Sequence, residues 1–293
     1  MTYPRLESIV QFAPVEIVEL TQPWDTSTRT IVARPDRGGS VVVQWAHDRR
    51  GVARRIRLGR QLSWCAPWLP IPEILDGDAR AAIPFVVSRY VPGQSGRTAL
   101  DGEAQAARFC RRMGALARDI SRVPIRGLRL SRTWADRARL EAAARRWLAG
   151  ASDVLEPAAL ASIEPLLDAL PPAFASADPV FAHGDFAPVN TIVRDGAIVA
   201  LLDLERARIA HPYFDAAWFR LIVRSHHPDR WNVAGPAFLA AAGIAQTADE
   251  MRTLDLLAML QCLESIASTP RSRAAVRHEW AARAMAVAAS APA

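Results

Sequence analysis

The fold of this chain is decided by Val180-Phe181-Ala182-His183-Gly184-Asp185-Phe186-Ala187-Pro188-Val189-Asn190 and by Leu202-Asp203-Leu204-Glu205, which follows one hairpin later. Val180–Ala182 is a short apolar run that reads as a strand and delivers Asp185 to a tight loop before Pro188. Asn190–Val193 and Ile198–Leu202 flank Asp195-Gly196, the strongest hairpin signal in the chain. A hairpin folded back at that point is expected to carry Asp203 toward Asn190. Two carboxylates and an amide oxygen then meet at one place. Hard oxygen donors of this kind suit magnesium, which fills its remaining positions with water and phosphate oxygens.

Working outward, the first 90 residues or so read mainly as strands. Glu16–Leu20, Arg29–Arg34 and Ser40–Trp45 are rich in Val, Ile and Thr, with Asp36-Arg37-Gly38-Gly39 joining the last two as a hairpin. A helix is predicted over Val52–Trp64, stopped by Pro67, Pro70 and Pro72. Phe85–Tyr90 is another apolar strand, and Pro92-Gly93 marks a turn. Beyond it the period changes from two to 3.6. Ala106, Phe109, Cys110, Met113, Leu116 and Ile120 define a helix over Ala104–Ile120, and Trp134–Leu148 and Pro157–Leu170 read as two more. From Asp215 onward the chain is again helical. The expected organisation is α+β: a strand-rich lobe over residues 1–91, a hinge at Val91–Gly93, and a larger helical lobe over residues 92–293, with a nucleotide expected in the cleft between them.

Composition removes several function classes. The 293 residues carry a formal charge of +6, and all 36 positive side chains are arginine. The arginines are scattered, and no helix-turn-helix, zinc-finger or single-strand-binding signature accompanies them, so no nucleic-acid partner is expected. Cys65, Cys110 and Cys262 are far apart and give neither a disulfide framework nor a zinc site, which fits a reducing, cytoplasmic setting. No apolar run approaches membrane-spanning length. His226-His227 precedes Pro228 and reads as a polar helix end rather than a metal site. Trp134, Trp147, Trp218 and Trp231 read as core.

His183-Gly184-Asp185-Phe186-Ala187-Pro188-Val189-Asn190 resembles the His-Gly-Asp-x-x-x-x-Asn catalytic loop of the aminoglycoside phosphotransferase and choline kinase group, small-molecule kinases with the protein-kinase-like fold. Leu202-Asp203-Leu204-Glu205 is similar to the Ile-Asp-x-Glu element that follows it there. Phe85–Gly93 resembles the hinge strand, and Tyr213-Phe214-Asp215-Ala216-Ala217-Trp218 the Asp-Leu-Ala segment. The similarity runs from about Ile17 to Trp218. It implies a two-lobed fold with a small antiparallel-sheet N-lobe. It also implies transfer of the γ-phosphoryl group of ATP or GTP, with Mg2+, to a hydroxyl of a small molecule such as an antibiotic, a sugar-like compound or a metabolite alcohol. Asp185 would orient that hydroxyl and take its proton, and Asn190 and Asp203 would hold the metal. The backbone near Ser88 and Tyr90 would bind the base, while His183 and Asp215 would brace the loop. Glu205 would contact metal or substrate, or pair with Arg206 or Arg208.

The N-terminal part departs from that pattern. The third strand, Val41-Val42-Val43-Gln44-Trp45, has Gln44 where a phosphate-holding cation is expected, and no carboxylate occurs from Gly51 through Pro72 to serve as its partner. Arg54, Arg55 or Arg57 are candidate replacements. The first loop, Pro23–Thr28, lacks glycine, which leaves Ser27 and Thr28 as phosphate contacts or as ordinary turn residues. Ala210-His211-Pro212 stands where the family has Gly-Asp-Pro. The absent pair motivates an alternative reading, a catalytically silent kinase-shaped binding protein. The retained Asp185, Asn190 and Asp203 favour the enzyme. The C-terminal helices offer few acids, Asp249, Glu250, Asp255, Glu264 and Glu279, and many arginines, which points away from a polycationic acceptor.

Overall fold

The structure is a computed structural model describing residues 14–20, 28–35, 39–46, 48–174 and 177–290. The chain divides into two compact units. One comprises Met1–Gln94, Ile192–Arg194 and Ile198–Glu205; the other comprises Ser95–Thr191, Asp195–Ala197 and Arg206–Ala293.

The first unit is built on a five-stranded antiparallel sheet of order β1-β2-β3-β5-β4. Its strands are β1 (Pro14–Leu20), β2 (Thr28–Pro35), β3 (Val41–Ala46), β4 (Ile74–Asp78) and β5 (Phe85–Arg89). Alternation in β3 buries Val41, Val43 and Trp45, which cluster with Ile31, Ala33, Phe85 and Val87. Gln44, one residue out of phase, belongs to the opposite face and is paired in register with Thr30 on β2. Helix α1 (Arg49–Cys65) starts at an Asp48 cap that accepts from Arg50 N at 3.0 Å, and it buries Val52, Leu58, Gly59 and Leu62. The predicted Asp36–Gly39 connection lies largely outside the described residues, but the pairing of β2 with β3 that it was expected to join is present.

A second sheet of order β6-β8-β9 contains β6 (Gln94–Ser95), β8 (Thr191–Arg194) and β9 (Ala197–Leu201), with Asp195-Gly196 at the tip of the β8–β9 hairpin. The helical unit contains α2 (Glu103–Ser121), α3 (Arg137–Ala149), α4 (Pro157–Ile163) and α5 (Leu170–Ala173). A two-stranded ladder of β7 (Val180–Ala182) and β10 (Arg208–Ala210) follows. Helices α6 (Phe214–His226), α7 (Pro228–Ala242), α8 (Ala248–Ser268) and α9 (Ala274–Ser290) complete it. The expected helix over Trp134–Leu148 is split, because the Asp136 side chain caps α3 by accepting from Arg139 N, leaving Trp134 in a separate 3-10 turn. The one expected over Pro157–Leu170 ends as an α-helix at Ile163, two residues before Pro165, and continues as 3-10 turn. Among the described residues no helix is long and apolar enough to cross a membrane.

Candidate active site

The catalytic-loop candidate is held in the helical unit by β7 and the start of α6. Antiparallel pairing sets Ala182 opposite Arg208 and ends the strand at His183. Asp215, in the first turn of α6, accepts from the backbone N–H of His183 at 2.7 Å and of Gly184 at 3.0 Å. A carboxylate there also meets the positive end of the helix dipole. Burial pushes the Asp215 carboxyl up, while the His183 ring, the two N–H groups and Arg208 pull the other way. His183 is fully buried, and its Nδ1 accepts from Asp185 N at 3.3 Å. Gly184 has φ +89, and a Cβ there would lie 1.9 Å from the Arg206 carbonyl oxygen, so the loop passes where only glycine fits.

Asp185 sits half-buried at the tip. Its backbone carbonyl accepts from Ala187 N at 2.9 Å and from Asn190 Nδ2 at 2.8 Å. This second bond fixes the Asn190 amide with Oδ1 turned away from the Asp185 carbonyl. The carboxylate Oδ1 of Asp185 accepts from the indole Nε1 of Trp218 at 2.8 Å. Trp218 is stacked against Trp280 with ring centroids 5.5 Å apart, and the Arg206 guanidinium lies 5.7 Å from the centre of its ring. The loop thus presents an aspartate whose position is set from its backbone and from one carboxylate oxygen.

The other candidates belong to the first unit. Asp203 follows β9 with a left-handed backbone, φ +60. Glu205 pairs with Arg55 of α1, and neither of its expected partners takes it. Arg206 lies over Trp218, and Arg208 forks onto Glu264 at 2.9 and 2.7 Å. Gln44 has both ends of its amide engaged: Nε2 donates to Thr30 Oγ1 at 3.3 Å, and Oε1 accepts from Arg55 Nη1 at 2.8 Å. Ser88 is paired within the sheet between Val42 and Ile74, and Tyr90 N donates to the Ser40 carbonyl at 3.0 Å. Ser27 lies outside the described residues, and Thr28 opens β2 opposite Ala46. Among the described residues no cluster of three His, Cys, Asp or Glu is arranged to hold a metal ion.

A model of the phosphotransferase enzyme family matches residues 20–259. The chain belongs to this family. As a phosphotransferase, it takes a hydroxyl group as acceptor. No curated protein sequence matches it significantly. Among solved structures it is similar to a thermostable mutant of aminoglycoside phosphotransferase APH(4)-Ia in ternary complex with AMP-PNP and hygromycin B (TM-score 0.72, 16% identity, 95% of each chain). It is also similar to the GDP complex of aminoglycoside 2'-phosphotransferase-IIIa (TM-score 0.72, 15% identity, 94% of this chain and 93% of that one). A third is macrolide 2'-phosphotransferase MphH from Brachybacterium faecium (TM-score 0.65, 19% identity, 93% of each). These likenesses show the kinase-like fold that the catalytic-loop stretch led us to expect.

In this phosphotransferase the departure at His211 has a local explanation. Its Nδ1 accepts from Tyr213 N at 3.0 Å, the bond to the residue two ahead that an aspartate makes in an Asx-turn, and Nε2 faces the Ala173 carbonyl at 3.1 Å. Burial pushes the ring down to about 4, opposed by the Ala173 contact. Two residues acquire partners that the sequence reading did not assign to them. Trp218 is buried in the core as expected, and because it lies three residues after Asp215 on α6 it also shares the helix face turned to the loop. Arg55, one of the three arginines named as candidates, lies three residues from Val52 and four from Gly59, on the buried stripe of α1, whereas Arg57 is exposed.

Proposed function

We propose that this phosphotransferase moves the γ-phosphoryl group of ATP or GTP to a hydroxyl of a neutral or anionic small molecule, with Asp185 as the group that orients the acceptor. The observation that carries this reading is the indole bond that holds Asp185 by Oδ1, and in this reading Oδ2 is the oxygen that would meet an acceptor hydroxyl. The acceptor oxygen forms a bond to phosphorus as the bond to the β-phosphate oxygen breaks, and the hydroxyl proton passes late to Asp185. The transition state is loose, so holding the hydroxyl in line contributes more than the basicity of a carboxylate. Asn190 and Asp203 offer the amide and carboxylate oxygens that suit magnesium, which would neutralise charge on the β- and γ-phosphates. The orientation of the Asn190 amide supports that role, because its nitrogen is committed to the Asp185 carbonyl.

The acceptor's charge is argued from the acids of α8 and α9. Asp255 is paired with Arg220, Glu264 with Arg208, Glu279 with Arg283 and Asp249 with Arg252, while Glu250 accepts from Tyr213 and caps α8. A polycation would have to displace arginines from them. The solved aminoglycoside phosphotransferase APH(4)-Ia is described in complex with hygromycin B, so such compounds belong in the test. Nucleotide consumption is to be measured with a panel of neutral, anionic and polycationic alcohols, with Asp185→Asn as the blank. Turnover confined to aminoglycosides would overturn the acceptor class. Absence of turnover with every alcohol, together with no binding of Mg-ATP or Mg-GTP, would favour the silent reading.

A further inference from the structure

We infer that Arg55 on α1 is the cation that meets the nucleotide phosphates, with Gln44 on β3 as its positioning residue. The inference rests on the phosphotransferase reading and adds the residue that carries the missing charge. A kinase-type N-terminal sheet places a cation on its third strand and a carboxylate on the following helix. Here the strand supplies an uncharged amide and the helix a guanidinium, joined by the 2.8 Å bond from Arg55 Nη1 to Gln44 Oε1. The carboxylate is present too: Glu205, two residues beyond Asp203, pairs with Arg55 through Nη2. One cation and one acid remain, and both have changed bearer.

Contacts with Gln44 and Glu205 single out Arg55, and position sets it apart from Arg57. Its side chain is only 11% exposed, on the helix stripe that packs toward the sheet, whereas Arg57 is exposed and lines an open depression with Arg60 and Arg80. Gln44 is itself held by the register, since Thr30 is its direct cross-strand neighbour and accepts from its amide nitrogen. The strand amide therefore fixes where the guanidinium sits. A guanidinium carries five N–H donors in one plane, so a group positioned by Gln44 and Glu205 can also meet a phosphate oxygen.

The test is calorimetric titration of the full chain with Mg-ATP, Mg-GTP and the matching nucleosides, on wild type, Arg55→Gln, Arg57→Gln and the exchange variant Gln44→Lys/Arg55→Gln. Arg55→Gln is expected to weaken the triphosphate on the order of 10- to 100-fold and leave nucleoside affinity unchanged, because only the phosphate contact is removed. Arg57→Gln is expected to bind as wild type, and the exchange variant to regain roughly tenfold by returning the charge to the strand. Equal triphosphate affinity in wild type and Arg55→Gln overturns the inference, as does an equal loss for nucleoside and triphosphate, which marks a purely structural role. If Arg55→Gln does not melt cooperatively, Arg55→Lys carries the test: a severalfold loss for the triphosphate alone is expected, and an unchanged value overturns the inference. Failure of wild type to bind either triphosphate removes the phosphotransferase reading itself, an outcome distinct from all of these.

Discussion

Replacing Trp218 by Phe keeps an aromatic ring but deletes the N–H that holds Asp185 Oδ1 at 2.8 Å. A hydrogen bond to a charged acceptor contributes about 1.5–3 kcal/mol. If that energy serves to keep the carboxylate aimed at the acceptor, its loss appears in kcat as a drop of roughly 10- to 100-fold. The nucleotide KM should hardly move, because the loss concerns the acceptor side of the reaction. The smaller ring also weakens stacking on Trp280 and contact with Arg206, at about 1–2 kcal/mol of stability. Trp280→Phe separates these effects: it disturbs the same stack and leaves the indole bond in place, so it should cost stability and spare kcat. Steady-state kinetics with the best acceptor of the panel, alongside denaturant melts, make the comparison. Full kcat in Trp218→Phe, or equal kcat losses in both variants, would refute the claim that the indole orients the aspartate.

The remaining predictions concern the scaffold. Gly184→Ala should abolish turnover and cost about 1–3 kcal/mol or more, since its Cβ would lie 1.9 Å from the Arg206 carbonyl at φ +89; activity and melting of the variant check it. Asp255→Asn should lower stability by about 3–5 kcal/mol by stranding the buried Arg220, whereas Asp249→Asn at an exposed pair should cost under about 1 kcal/mol, both read from urea midpoints. His211 is held neutral in the fold, with its ring pushed from 6.5 to about 4 by burial, so the unfolded chain takes up a proton first as pH falls. Stability is therefore fully present above pH 6.5 and declines toward about pH 4, by about 3 kcal/mol in all from this residue. Unfolding free energies across that range should slope less in His211→Asn, which keeps an acceptor for Tyr213 N and does not titrate.

Much of the fold was legible because its cause is periodicity. Strands β2, β3 and β5 announce themselves by β-branched residues, and α1 and α2 by apolar residues at helical spacing. Strand β4 did not, because Ile74-Leu75-Asp76-Gly77-Asp78 contains three poor strand formers and is held by pairing with β5 across an irregularity in register. The three residues of β10 are too few for a pattern, and they are a strand only because β7 lies beside them. The candidate catalytic loop was legible through its punctuation: a glycine forced by a positive φ, then a proline, then an asparagine whose amide closes back on the loop. What stayed hidden were partners supplied by register and helical phase. Sequence offers three arginines on α1 and no means to choose between them until the helix is set against Gln44.

That choice also says why a charge sits there at all. A guanidinium on the buried stripe of a helix must be desolvated, at a cost of several kcal/mol that pairing only partly recovers. Buried ion pairs can often be exchanged for apolar residues of similar volume with no loss of stability, so cohesion of the first unit gives no reason to keep Arg55. The same holds one segment away, where Asp203 occupies a left-handed conformation that an L-residue adopts only at a cost. Gln44, Arg55, Asp203 and Glu205 thus gather several local exceptions of the first unit within one short chain of contacts and sequence neighbours. Departures from local preference concentrate where a protein must meet something other than itself. A polyphosphate with its divalent ion is a ligand whose chemistry calls for a fixed cation and an oxygen donor together.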